Sequence, residues 1–207
     1  MSLTLYDSRR APNPRRVRWV MAEKGIEDIE IVEVDIFSGA HRTPDYIARA
    51  GLPVVPVLDL GDGTAITESV AIGRYLESLY PEPNLFGRDA REIAEIEMWM
   101  RRAEMMLSNP LMMTVRHSHP ALAALETQSP EIAGRNREGA EKTLGFFDRR
   151  LGEREWLAGD RITIADIIAF TGLDFSRMVK FQVPERMSNV TRWTEAMRAR
   201  PAASAGV

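Results

Sequence analysis

With 207 residues, 44% of them hydrophobic and 28% charged, the chain has apolar material for one large or two modest globular units and fits neither a disordered nor a fibrous class. Its formal net charge of -3 argues against nucleic acid as the main partner, since phosphate binding draws on a strongly basic face. It has no cysteine, which excludes disulfides, thiolate metal sites and a protein cysteine nucleophile, so any sulfur chemistry must be carried in by a ligand.

In chain order, residues 3–6 (Leu-Thr-Leu-Tyr) read as a strand, and residues 7–14, with two prolines and an Asn, interrupt regular structure. Over residues 14–24, Val17, Val20 and Met21 recur on one helical face, with Pro14 suited to a first turn and Gly25 to a helix stop. Residues 29–34 predict a second strand and residues 44–49 a short helix. Residues 54–60 predict a strand with Pro56 near its start. Gly61-Asp62-Gly63 signals a hairpin turn, residues 64–67 return, and residues 69–79 predict a helix. The order is βαβαββα with a mixed four-stranded sheet.

Residues 81–88, rich in Pro and Asn, read as a linker, and beyond them the strand pattern stops. Residues 89–116, 131–151, 164–179 and 188–199 predict helices, the third opened by a Thr163–Asp166 capping signal. The C-terminal RPAASAGV reads as a frayed tail. The expected organisation is an α/β unit over 1–80, a linker over 81–88 and an all-α unit over 89–207. No apolar run approaches the roughly 18 residues a membrane span needs, and no apolar leader opens the chain, so a cytoplasmic protein without a membrane partner is expected. Three histidines (His41, His117, His119) without HExxH spacing give no basis for a metal site.

Three stretches carry a resemblance: Val55-Pro56-Val57-Leu58 followed by Asp62-Gly63 and Thr67-Glu68-Ser69-Val70-Ala71-Ile72; the segment APNPRRVRWVMAEKGI; and Ile162-Thr163-Ile164-Ala165-Asp166. In this order and spacing they resemble the cytosolic glutathione transferase superfamily from end to end. The resemblance implies a thioredoxin-like N-terminal domain that binds glutathione, and a helical domain for a second substrate. It implies a cis bond at Pro56, with the backbone of Val55 pairing with the cysteinyl part of glutathione; on pattern alone, Pro56 ends an edge strand. Ser69 is a candidate N-cap, and a helix N-terminus with its free N–H groups favours an anion. There the resemblance puts the γ-glutamyl carboxylate, with Glu68 facing the ammonium group. It also puts a basic side chain on the glycine carboxylate, carried here by His41 with Arg42 as its competitor.

Such an enzyme must turn a thiol of pKa about 8.5 into a thiolate. Members often carry Ser or Thr just before the Pro12-Asn13 pair, where this chain has Ala11. The donors that remain in the loop are Asn13, whose amide either donates to sulfur or caps the first helix, then Ser8, then Tyr6, which ends the strand and points toward the core. Five arginines between positions 9 and 18 read as a solvated helix face or as a positive rim around the site.

For the second substrate, seven of the chain's eleven methionines lie between 98 and 178. With Trp99, Arg102 and Met106, they suggest an adaptable apolar pocket between the domains, or plain helix packing. The expected function is glutathione transfer to a small hydrophobic electrophile by a homodimer. A non-catalytic glutathione-binding or regulatory member is the alternative, and a glutathione-dependent peroxide or disulfide reductase another. Without cysteine, no route runs through a mixed disulfide with the protein.

Overall fold

A computed structural model describes residues 2–205. They divide into two compact units: one runs to Pro83 and takes in the stretch from Pro201 onward, and the other is Asn84–Arg200.

The first unit is built as β1 (Thr4–Asp7), α1 (Pro12–Lys24), β2 (Glu30–Glu33), a 3₁₀ turn (Ala40–Arg42), α2 (Pro44–Ala50), β3 (Val57–Asp59), β4 (Ala65–Thr67) and α3 (Ser69–Leu79). The sheet order is β2-β1-β3-β4. β1 pairs parallel with β2 and antiparallel with β3, and β3 pairs antiparallel with β4. The mixed sheet expected from the hairpin signal is therefore present. Pro56 does not terminate an edge strand, because β3 lies between β1 and β4. The Val55–Pro56 bond is cis, as the resemblance implies.

Side chains alternate across a strand. Leu5 and Asp7 are buried, and Asp7 pairs with Arg18 of α1; Tyr6, between them, meets Tyr46 and Arg49 of α2. Hence α1 and α2 cover opposite faces of β1. The core is Leu5, Val17, Val20, Val57, Leu58, Ile72 and Leu76, all fully buried. Helix α1 stops at Gly25, whose φ of 64° is the left-handed conformation expected of a glycine stop. The tail expected to fray instead forms a 3₁₀ turn, Pro201–Ser204, held to α1 where Arg15 Nη2 donates to the Ala203 carbonyl at 3.1 Å. The last two residues of that tail lie outside the described residues.

The second unit comprises α4 (Ala90–Arg102), α5 (Asn109–Ser118), α6 (Pro130–Glu153), α7 (Ile164–Phe175) and α8 (Ser188–Arg198). The single helix expected over 89–116 is interrupted. Between α4 and α5, residues Ala103–Ser108 form a π segment, in which Asn109 N–H reaches back to the Glu104 carbonyl. The cause is Pro110, which has no N–H for the i→i−4 ladder. The helix expected to 179 tightens into 3₁₀ after Phe175. Helix α7 is apolar almost all round and buried from Ile164 to Leu173, so it is the unit's central helix. Thr163 caps it as expected, and the buried Asp166 carboxylate accepts from Thr163 N–H and hydroxyl, Leu157 N–H and Trp193 Nε1. No helix among the described residues is long and apolar enough to cross a membrane.

Candidate functional site

The loop after β1 is held from two sides. Arg18, paired with Asp7, also donates to the Arg9 carbonyl at 2.8 Å, and Arg9 N–H donates to Glu33 Oε1 at 2.9 Å. Burial pushes the Asp7 carboxyl above its ordinary range, opposed by the adjacent Arg18 guanidinium. Ser8 closes a turn by accepting from Ala11 N–H at 2.9 Å.

Ala11 is the N-cap of α1, with extended backbone and no side-chain cap. Asn13 therefore sits inside the first turn and does not cap the helix. Neither end of its amide is hydrogen-bonded among the described residues, and its Oδ1 is buried. Ser8 is buried, and its hydroxyl likewise makes no hydrogen bond among the described residues. Both candidates thus keep a donor available close to the N-terminus of α1.

The reading of the arginines as a solvated face fails for two of the five. Arg16 is 2% exposed and Arg18 8% exposed. Arg18 serves Asp7. Arg16 Nη1 donates to Ser69 Oγ at 3.3 Å. Asn13 and Arg16 are three residues apart and share one face of α1. The Arg16–Ser69 contact brings that face to the start of α3. Sequence reasoning missed Arg16 as a site residue; the signal was its place among Val17, Val20 and Met21, where a solvated side chain does not fit.

Helix α3 starts one residue away from the expected cap. Glu68 is the N-cap, with φ 67° and ψ 116°, and Ser69 is the first helical residue. A positive φ in a non-glycine residue costs on the order of 1–3 kcal/mol and gathers at ligand sites. The exposed Glu68 carboxylate makes no hydrogen bond among the described residues, and the Ser69–Ala71 N–H groups head the helix. In the β3–β4 ladder Val57 faces Thr67. Val55 lies two residues before that pair and Ser69 two residues after it, so both flank the end of the ladder. Among the described residues no partner meets the peptide N–H or C=O of Val55. An open peptide edge, a helix N-terminus and a buried cation therefore come together.

His41 lies in the 3₁₀ turn between β2 and α2. It is 8% exposed, and its Nδ1 is buried without a hydrogen-bond partner among the described residues. Burial, then the neighbouring Arg42 charge, lowers its pKa, so its neutral form is favoured. Arg42 is exposed. Tyr6, ranked behind Asn13 and Ser8, is half-buried, and its hydroxyl accepts from Arg49 Nη1 at 2.6 Å.

In the helical unit, Trp99 is buried, stacked on Phe146 at 5.3 Å, with the Arg102 guanidinium over its ring at 4.8 Å and Arg150 on it at 4.9 Å. Trp99 and Arg102 thus spend much of their surface on each other. Met106, on the π segment, is 45% exposed, as are Met98 and Met105 to similar degrees.

Comparison with known proteins gives the family. The glutathione S-transferase N-terminal domain family matches residues 11–79 and its C-terminal domain family residues 104–201. "Glutathione S-transferase 2" of Saccharomyces cerevisiae is 36% identical over 96% of this chain and 87% of its own length. Among solved structures, a glutathione S-transferase domain-containing protein of Marinobacter aquaeolei VT8 is 37% identical with a TM-score of 0.92, over 97% of this chain and all of the other. Gtt2 of Saccharomyces cerevisiae is 35% identical with a TM-score of 0.91, over 99% of this chain and 100% of that one. The four-stranded mixed sheet and the helical second unit agree with the fold that the three motifs implied: the chain belongs to the glutathione S-transferase family.

Proposed function

We propose that this protein binds glutathione in its first unit and transfers it, as the thiolate, to a small apolar electrophile. One observation carries the reading: the open peptide of Val55 and Ser69 at the head of α3 both lie just beyond the last pair of the β3–β4 ladder, Val57–Thr67, with the buried Arg16 behind that serine. The γ-glutamyl carboxylate would take the α3 N–H groups and the Ser69 hydroxyl, where the helix end and Arg16 both favour a negative charge. Glu68 would face the ammonium group. The cysteinyl backbone would pair with Val55 beside Pro56, and His41 would take the glycine carboxylate.

The thiol would then lie near the start of α1. A hydrogen bond from the Asn13 amide to sulfur, with Ser8 as the second donor, favours the thiolate over the thiol. Each unit of lowered pKa corresponds to about 1.4 kcal/mol. Taking a thiol from about 8.5 to near neutral therefore asks for about 2 kcal/mol, within reach of one hydrogen bond to a charged group plus a helix end. The thiolate attacks an electrophilic carbon, the C–S bond forms, and the leaving group departs with its electron pair. Holding both reactants supplies the remaining acceleration. Met106 is the exposed member of the expected substrate set, and a partly apolar electrophile suits it. No metal is called for by these steps. We also infer a homodimer acting in the cytoplasm, supported by family membership and checked by sedimentation velocity and cell fractionation.

Calorimetric titration with glutathione, paired with a conjugation assay on an activated aryl halide, tests the proposal. Binding with turnover supports it, and no binding at millimolar glutathione contradicts it. Ala11 favours one second reading, glutathione binding without catalysis, because the loop lacks a hydroxyl at the cap of α1. That reading predicts binding without conjugation. Peroxide reduction by two glutathiones would show as activity on a hydroperoxide instead.

A further inference from the structure

The link between α2 and β3 carries Val55, yet it has little of its own to hold it. Gly51 ends α2 in the left-handed conformation, and residues 52–55 form neither helix nor strand. Among the described residues, their one backbone–backbone bond is the tight Val54 N–H to Leu52 carbonyl contact at 2.9 Å. What fixes the segment is a side chain. Tyr46 Oη lies 2.7 Å from the Val54 carbonyl oxygen.

Tyr46 is itself anchored. It sits in the first turn of α2, capped where Thr43 Oγ1 accepts Tyr46 N–H at 3.3 Å. Its ring meets Tyr6 of β1 edge-on, centroids 6.0 Å apart at 87°. Tyr6 in turn is held by Arg49, which lies over its ring at 5.2 Å and reaches Asp59 of β3 at 3.5 Å. Burial, with Tyr6 adding to it, raises the Tyr46 phenol to about 12, so the group is a donor at any physiological pH. The chain of contacts runs from the sheet, through two rings, to the carbonyl one residue before the peptide that glutathione would use.

We propose that Tyr46 is a positioning residue for glutathione: its hydroxyl, donating to the Val54 carbonyl, sets the orientation of the Val55 peptide that pairs with the cysteinyl backbone. This rests on the glutathione reading above. It separates two properties of one side chain. The ring serves stability by packing on Tyr6, and the hydroxyl serves ligand binding by orienting a backbone group outside the regular ladder.

Two variants separate them. Tyr46→Phe keeps the ring and removes the donor, and one lost hydrogen bond corresponds to roughly a fivefold change. Its glutathione Kd and KM should rise about fivefold, with kcat at saturating glutathione within about twofold of wild type. Amide exchange at Val54, whose N–H is bonded to the Leu52 carbonyl, should speed up, while Tm falls by only about 2–4 °C. Tyr46→Leu should lower Tm clearly and weaken glutathione no further than Tyr46→Phe. A Tyr46→Phe protein with unchanged Kd and unchanged exchange at Val54 overturns the proposal, as does a KM that moves only in step with Tm across the two variants. A wild-type protein that fails to bind glutathione overturns the parent reading and this one with it, whereas normal wild-type binding with an indifferent Tyr46→Phe overturns this one alone.

Discussion

Replacing Asp166 with alanine perturbs the most heavily bonded carboxylate described in the helical unit. Asp166 is fully buried. It accepts from Leu157 N–H at 2.9 Å, and from Thr163 N–H, Thr163 Oγ1 and Trp193 Nε1 at 3.0 Å each. Alanine leaves four buried donors facing apolar neighbours. At about 1 kcal/mol for each, the low end for an unsatisfied buried group, the loss is about 4 kcal/mol. A domain's whole stability is about 5–15 kcal/mol, so the variant should unfold far more easily. For a chain of this size that corresponds to a Tm drop of roughly 8–16 °C.

The pH dependence has a definite sign. Burial raises Asp166 from 3.8 to about 6 against the pull of its four donors. The native state therefore holds this proton more tightly than the unfolded chain. Its contribution to stability is full below the unfolded value and is lost as pH rises through about 6. Chemical denaturation of wild type, Asp166→Ala and Asp166→Asn at pH 4, 6 and 8, followed by tryptophan fluorescence, reads both effects. Asp166→Asn keeps one acceptor and should fall between the others, with a flatter profile between pH 4 and 6. A loss below about 1 kcal/mol in Asp166→Ala would refute the reasoning, since buried donors would then have found other partners.

Two further outcomes are expected. Ser69→Ala removes a hydroxyl at the head of α3 and leaves Arg16 without that acceptor, so glutathione Kd should rise about tenfold, measured by calorimetry, with Tm lowered by about 2–4 °C. His41 has a lowered pKa in the free protein, and a bound carboxylate would favour its charged form. Glutathione should therefore bind more tightly as pH falls through that pKa, with proton uptake seen as a buffer-dependent binding enthalpy. His41→Ala should abolish the uptake.

Much of this was legible in the sequence, for physical reasons. The period of Val17, Val20 and Met21, the hairpin at Gly61–Gly63 and the Thr163–Asp166 cap are local signals, and all three appear where the pattern placed them. Pro110 is a local signal that the reading of 89–116 as one helix did not use, and a π segment, Ala103–Ser108, lies just before it. Other features were not local. The buried Arg16 bonds Ser69, 53 residues away in sequence, and the Asp166–Trp193 bond joins residues 27 apart. The role of Ser69 as first helical residue, one place after the cap, depends on the unusual backbone of Glu68, which no propensity announces. Ala11 was visible as a departure, but only the structure frees Asn13 from the capping role by giving that place to Ala11.

The most direct test of the transferase reading is the thiol pKa of bound glutathione, followed by thiolate ultraviolet absorbance across pH in wild type and in Asn13→Ala. A wild-type value at least one unit below the free thiol's, about 8.5, that returns toward it in Asn13→Ala is the predicted result. Bound glutathione with an unshifted thiol, or a depression that survives Asn13→Ala intact, would contradict thiolate activation from this loop by Asn13.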